Sequence, residues 1–144
     1  MVKKIMLAAW VCATYVLLPV SCTKSTTKAT DPIVGMWKVK QNAVDANNNG
    51  IIDANELVTD TLNDYLSLNE DGTGSSVGSY FGYVNNELVV WQYLGGKDWL
   101  QLTVTSKNSL GVVASWHIDK LTSSALILKD TTYGPAYWTI FAKQ

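Results

Sequence analysis

Short apolar runs, each closed off by turn chemistry, constrain this chain more than any other feature. Trp37 and Val39 alternate with Lys38 and Lys40, and Leu66 and Leu68 flank Ser67, so one face is dry and the other wet. Further runs follow at Ser79–Val84, Glu87–Leu94, Trp99–Thr105, Gly111–Leu121, Ala125–Asp130 and Tyr137–Lys143. Between them stand Asn69 to Gly74, Asn85-Asn86, Gly95 to Asp98, Ser106 to Asn108, Thr122 to Ser124 and Tyr133 to Pro135. No window between Gly72 and the C-terminus holds a helical period. The pattern predicts an all-β domain of about eight antiparallel strands, closed up-and-down so that no long edge is left for aggregation.

Charge narrows the partners. The 144 residues carry 11 basic groups, every one a lysine, against 12 carboxylates. With no basic run and no arginine to fork onto phosphate or guanine, nucleic acid is excluded as an expected partner.

Met1 to Cys22 reads as a targeting signal. Lys3 and Lys4 precede an apolar stretch from Ile5 to Val20, too short for the roughly 20 residues of a membrane span. Cys22 directly after Ser21 resembles the lipobox of bacterial lipoproteins, in which cleavage leaves a lipid-modified N-terminal cysteine. Pro19 stands where that family usually has leucine, with Leu17 and Leu18 displaced; an ordinary secretory peptide cut nearby is the alternative. The resemblance implies residues 1–21 as signal peptide and acyl chains, palmitate among them, on Cys22. It also implies a place in the bacterial cell envelope as an outer-membrane lipoprotein. Residues 22–32 form a polar, threonine-rich linker, and 33–144 the folded domain. After cleavage nine lysines face 12 carboxylates, a formal charge of −3, and no thiol is left for a disulfide.

At the start of the domain, Gly35-Met36-Trp37 matches the Gly-x-Trp of the lipocalin-like family. The hairpin LSLNEDGTG and the closing WHIDKLTSSALILKD and YWTIFAK add to the likeness. The chain therefore resembles lipocalin-like domains of bacterial lipoproteins. The resemblance implies that Gly35, Trp37 and a basic residue of the last strand, here Lys143, pack together at one barrel end.

Asp45 to Glu56 is an inserted segment with a specific pattern. Oxygen donors occupy loop positions one, three, five, nine and twelve of the EF-hand loop as Asp45, Asn47, Asn49, Asp53 and Glu56. Gly50 sits at the sharp bend, and Ile51 would offer its carbonyl. A hard cation needs six to eight oxygens, and alternate residues of a tight loop point inward to supply them. The expectation is a structural Ca2+ in a loop between the first two strands, followed by a short helix over Ala54 to Leu62. An Asx-rich surface turn holding no metal is the alternative.

Catalysis finds no such pattern. Ser115, His117 and Asp119 alternate on one strand and project in parallel, so they read as a wet face and not a triad. A single histidine excludes multi-histidine zinc sites. Abundant aromatics remain, with Trp91, Tyr93, Trp99 and Trp138 as candidate contacts to a ligand or partner. The expected function is non-enzymatic: a membrane-anchored, calcium-stabilised barrel binding a small apolar ligand. The alternative is a filled barrel that docks a protein or glycan through exposed aromatics.

Overall fold

The computed structural model describes residues 30–78, 86–105, 111–132 and 134–144. The signal segment, Cys22 and the predicted strand Ser79–Val84 lie outside the described residues. Nine strands follow in order: β1 Gly35–Val44, β2 Leu57–Thr59, β3 Tyr65–Leu68, β4 Thr73–Val77, β5 Glu87–Leu94, β6 Trp99–Val104, β7 Val113–Leu121, β8 Ala125–Asp130 and β9 Tyr137–Lys143. Except for β2, each pairs antiparallel with the next, and β1 pairs with both β3 and β9. Eight strands thus close into an antiparallel barrel, and the short β2 lies against β1 beyond the end of β3.

Closure depends on β1. Its register runs from Trp37↔Lys143 to Val44↔Tyr137 along β9, with an irregularity between Val39 and Gln41. That bulge adds a residue and increases the local twist, which a strand needs when it serves two neighbours of a closed sheet. Alternation then sorts the side chains. On β6, Leu100, Leu102 and Val104 are buried while Trp99 is exposed; on β8, Leu126 and Leu128 are buried. With Trp37, Leu66, Trp116 and Phe141 they form one cluster that fills the middle of the barrel. Each such side chain contributes on the order of 1.5–3 kcal/mol on burial.

Two parts of the sequence expectation are corrected. Thr73 and Gly74, assigned to a turn, open β4. The turn itself ends at Gly72, whose positive φ of 82° lets Asn69 N–H donate to Thr73 O while Gly72 N–H donates to Asn69 O. Gly74 is a strand glycine because a Cβ there would collide with the carbonyl of Ser67 on β3. The predicted helix over Ala54 to Leu62 is one 3-10 turn, Ala54–Glu56, followed by β2. Leu57, Val58 and Thr59 pair with Ala43, Asn42 and Gln41 instead, a ladder that suits β-branched side chains better than a short helix would.

Candidate functional site

Residues 31–34 fold across the end of the barrel where Trp37 lies. Ile33 is fully buried there, and the Trp37 indole donates to its carbonyl at 2.6 Å. Lys143 reaches over from the end of β9, donating to Pro32 O at 2.9 Å with its ammonium 5.0 Å from the Trp37 ring centre. Gly35, Trp37 and Lys143 therefore meet at one barrel end. Asp31 and Pro32, predicted as linker, are tied to the barrel as well.

Beside this plug lies a cavity of about 640 Å3, open to solvent. The N-terminal segment supplies Thr30, Asp31, Pro32 and Val34 to its wall; Glu70 comes from the β3–β4 turn, Trp91 and Tyr93 from β5, and Lys97 from the turn after β5. The two aromatics are alternate residues of β5 on its inward face, with ring centroids 5.6 Å apart and planes at 89°. Trp91 is fixed by its indole bond to Asn69 O at 2.9 Å.

Asp31 organises the rim. Its Oδ1 accepts the Tyr93 hydroxyl at 2.7 Å and the Ile33 N–H at 3.2 Å, while its Oδ2 accepts Lys97 at 2.5 Å. Burial alone would raise the Asp31 carboxyl, but the Lys97, Tyr93 and Ile33 donors outweigh it and hold the group below its ordinary value. Burial, then the bond to Asp31 and its charge, push the Tyr93 phenol well above its ordinary range. Lys97 also stands 4.9 Å over the Tyr93 ring. Sequence reasoning found Trp91 and Tyr93 but missed Asp31, Glu70 and Lys97. Asp31 and Lys97 are 66 residues apart, and only barrel closure brings them together.

The other aromatics separate. Trp99 is 39% exposed on the outer face, edge-on to His117 with centroids 5.4 Å apart. Trp138 is 1% exposed beneath Lys129 and offers no surface to a partner. Ser115 Oγ accepts from Gln101, not from His117, and His117 Nδ1 lies 3.9 Å from Asp119, so no relay forms.

The inserted loop is closed by its own hydrogen bonds. Asp45, 4% exposed, accepts the Asn49 and Gly50 N–H groups at 2.9 Å each. The side-chain oxygens of Asn47 and Asn49 accept the N–H groups two residues on, at 3.0 and 2.9 Å. Both amide NH2 groups donate to Asp53 Oδ2 at 2.8 Å, and Glu56 accepts from Ala46 and Asp53. By type, every donor suits a hard cation. By geometry, no three acidic, thiol or imidazole side chains among the described residues converge as a metal-holding group.

No family model and no curated protein matches the sequence. Solved structures share the fold. A lipocalin-like protein from Bacteroides uniformis aligns at 14% identity with a TM-score of 0.55, over 79% of this chain and 100% of that one. An uncharacterized protein from Bacteroides eggerthii aligns at 12% identity and a TM-score of 0.50, over 77% of this chain and 98% of that one. The barrel is lipocalin-like in fold.

Proposed function

We propose that this chain is a non-enzymatic binding protein of the bacterial cell envelope, exported by residues 1–21 and anchored through lipid on Cys22. It takes a small ligand in the cavity at the Trp37 end. One observation carries the site: the middle of the barrel is filled by its own leucines and aromatics, whereas the aromatic corner of Trp91 and Tyr93 borders open space. The anchor is supported by the lipobox-like Ser21-Cys22. A Ca2+ in the 45–56 loop, with Asp45, Asn47, Asn49, Asp53 and Glu56 as side-chain ligands and Ile51 through its carbonyl, is supported by donor type and spacing. Its role there is structural, neutralising a polar insertion. The parallel, unconnected Ser115, His117 and Asp119 support the absence of catalysis.

A titration of tryptophan fluorescence with small amphipathic molecules tests the site. Ligand should quench the full chain and its Trp99→Phe variant alike, with the response lost in Trp91→Phe. Quenching that survives Trp91→Phe would reject the cavity. A second function, docking of a glycan or protein, is favoured by the exposure of Trp99 beside the hydrogen-bonded Gln92, Gln101 and Ser115.

A further inference from the structure

We propose that the cavity at the Trp37 end selects an organic cation, an amine or quaternary ammonium carried on a small apolar body, held between Trp91 and Glu70. This rests on the cavity being the ligand seat and adds the chemical class that it takes.

The charges of the wall decide the sign. Asp31 and Lys97 neutralise each other through a direct ion pair. Both Asp31 oxygens are already engaged, Oδ2 by Lys97 and Oδ1 by Tyr93 and the Ile33 N–H. Glu70 is the third charged group of the wall, and it makes no hydrogen bond or ion pair among the described residues. It is exposed, on the turn just after Asn69, the residue whose carbonyl fixes the Trp91 indole. Among the described residues the wall thus keeps one uncompensated negative charge, in the same cavity as the Trp91 ring.

The aromatic corner has the same preference. The electron-rich face of an indole or phenol attracts a cation, and indole does so best. The protein already uses this on its own ammonium groups, with Lys97 over Tyr93 and Lys143 over Trp37. Among the described residues no cation stands over Trp91, so its ring is the one left for a guest. Because the two planes meet at 89°, an ammonium against Trp91 need not displace Lys97 from Tyr93. A ligand carboxylate would instead meet Glu70 with like charge, and would have to share Lys97 with Asp31.

A matched pair of probes isolates charge from shape. The full chain is titrated at pH 7 and low salt with 4-phenylbutylamine and 4-phenylbutyrate, by calorimetry and tryptophan quenching. The amine should bind at least about fivefold more tightly. Glu70→Gln should bring the two probes within about twofold of each other, and Glu70→Lys should reverse their order. Asp119→Asn removes the same charge from a distant outer strand and should leave the preference intact, which separates local recognition from the net charge of the chain. Equal or tighter binding of the carboxylate, with quenching still dependent on Trp91, would overturn the cation preference and leave the cavity as the seat. A preference unchanged in Glu70→Gln would overturn it too. If neither probe binds, the cavity reading and its cation preference both fall.

Discussion

Lys143 caps Trp37: its ammonium lies 5.0 Å from the centre of a ring that is fully buried, and its stem fills the space in which a Cβ on Gly35 would stand. The three residues read from sequence as a barrel-end set share one small volume. Lys143→Met keeps most of the methylene cover and loses the cation, so it should cost about 0.5–1 kcal/mol in urea unfolding. Gly35→Ala should cost more, about 1–3 kcal/mol, because φ is +137° and the new Cβ would lie 2.5 Å from Lys143 Cε.

Ile33 belongs to the core although it precedes the first strand. Its side chain is fully buried, and its carbonyl holds the Trp37 indole. Ile33→Ala leaves that carbonyl in place and opens a void, for an expected loss of about 2–5 kcal/mol. A loss below about 0.5 kcal/mol would show that Ile33 is no part of the core.

The rim gives the protein two pH limits. The Asp31 carboxyl titrates lower in the fold than its ordinary 3.8, so the unfolded chain takes up the proton first as pH falls. Its stabilisation is present above pH 3.8 and is lost below it, down through the folded value. Tyr93 behaves in the opposite sense. Burial first, and then Asp31, raise the phenol above 10.0, so the unfolded chain loses its proton before the fold does. That contribution is present below pH 10.0 and fades as pH rises beyond it. Urea midpoints of wild type and Asp31→Asn at pH 2.5, 7 and 10.5 should converge at the acid end and differ most at pH 7.

Calcium should stabilise without being required for folding. Asp45 already accepts backbone N–H groups, Asp53 the amides of Asn47 and Asn49, and Glu56 closes the loop onto Ala46 and Asp53. The barrel should therefore stay folded in chelator. Calcium at ten times its dissociation constant should add about 1.4 kcal/mol, read as a rise in melting temperature. The loop's acid content and lack of a paired second loop place that constant on the order of 10⁻⁴ to 10⁻³ M. Glu56→Gln should abolish the rise. A melting temperature indifferent to millimolar calcium would leave the loop as an Asx-rich turn.

Much of the barrel was legible because its strands alternate cleanly. Leu100, Leu102 and Val104 on β6 and Leu126 and Leu128 on β8 announce a dry face in sequence and bury it in the structure. Gly74 misled because glycine serves turns and close strand approaches equally, and only the carbonyl of Ser67 distinguishes them. Leu57 to Thr59 became a strand because Gln41 to Ala43 were available to pair, a fact invisible in a local window. The cavity was half legible. Trp91 and Tyr93 share a face by period, whereas Asp31, Glu70 and Lys97 come from three separate segments with no common pattern.

The most direct test is to map a bound neutral apolar dye, N-phenyl-1-naphthylamine, on the isotopically labelled full chain by NMR. Shifts should concentrate on the Trp91 indole N–H and on Val34, Tyr93 and Lys97. Shifts centred on Leu100, Leu102 and Leu128 would mean that the barrel interior opens to ligand, and would contradict a filled core with its seat at the Trp37 end.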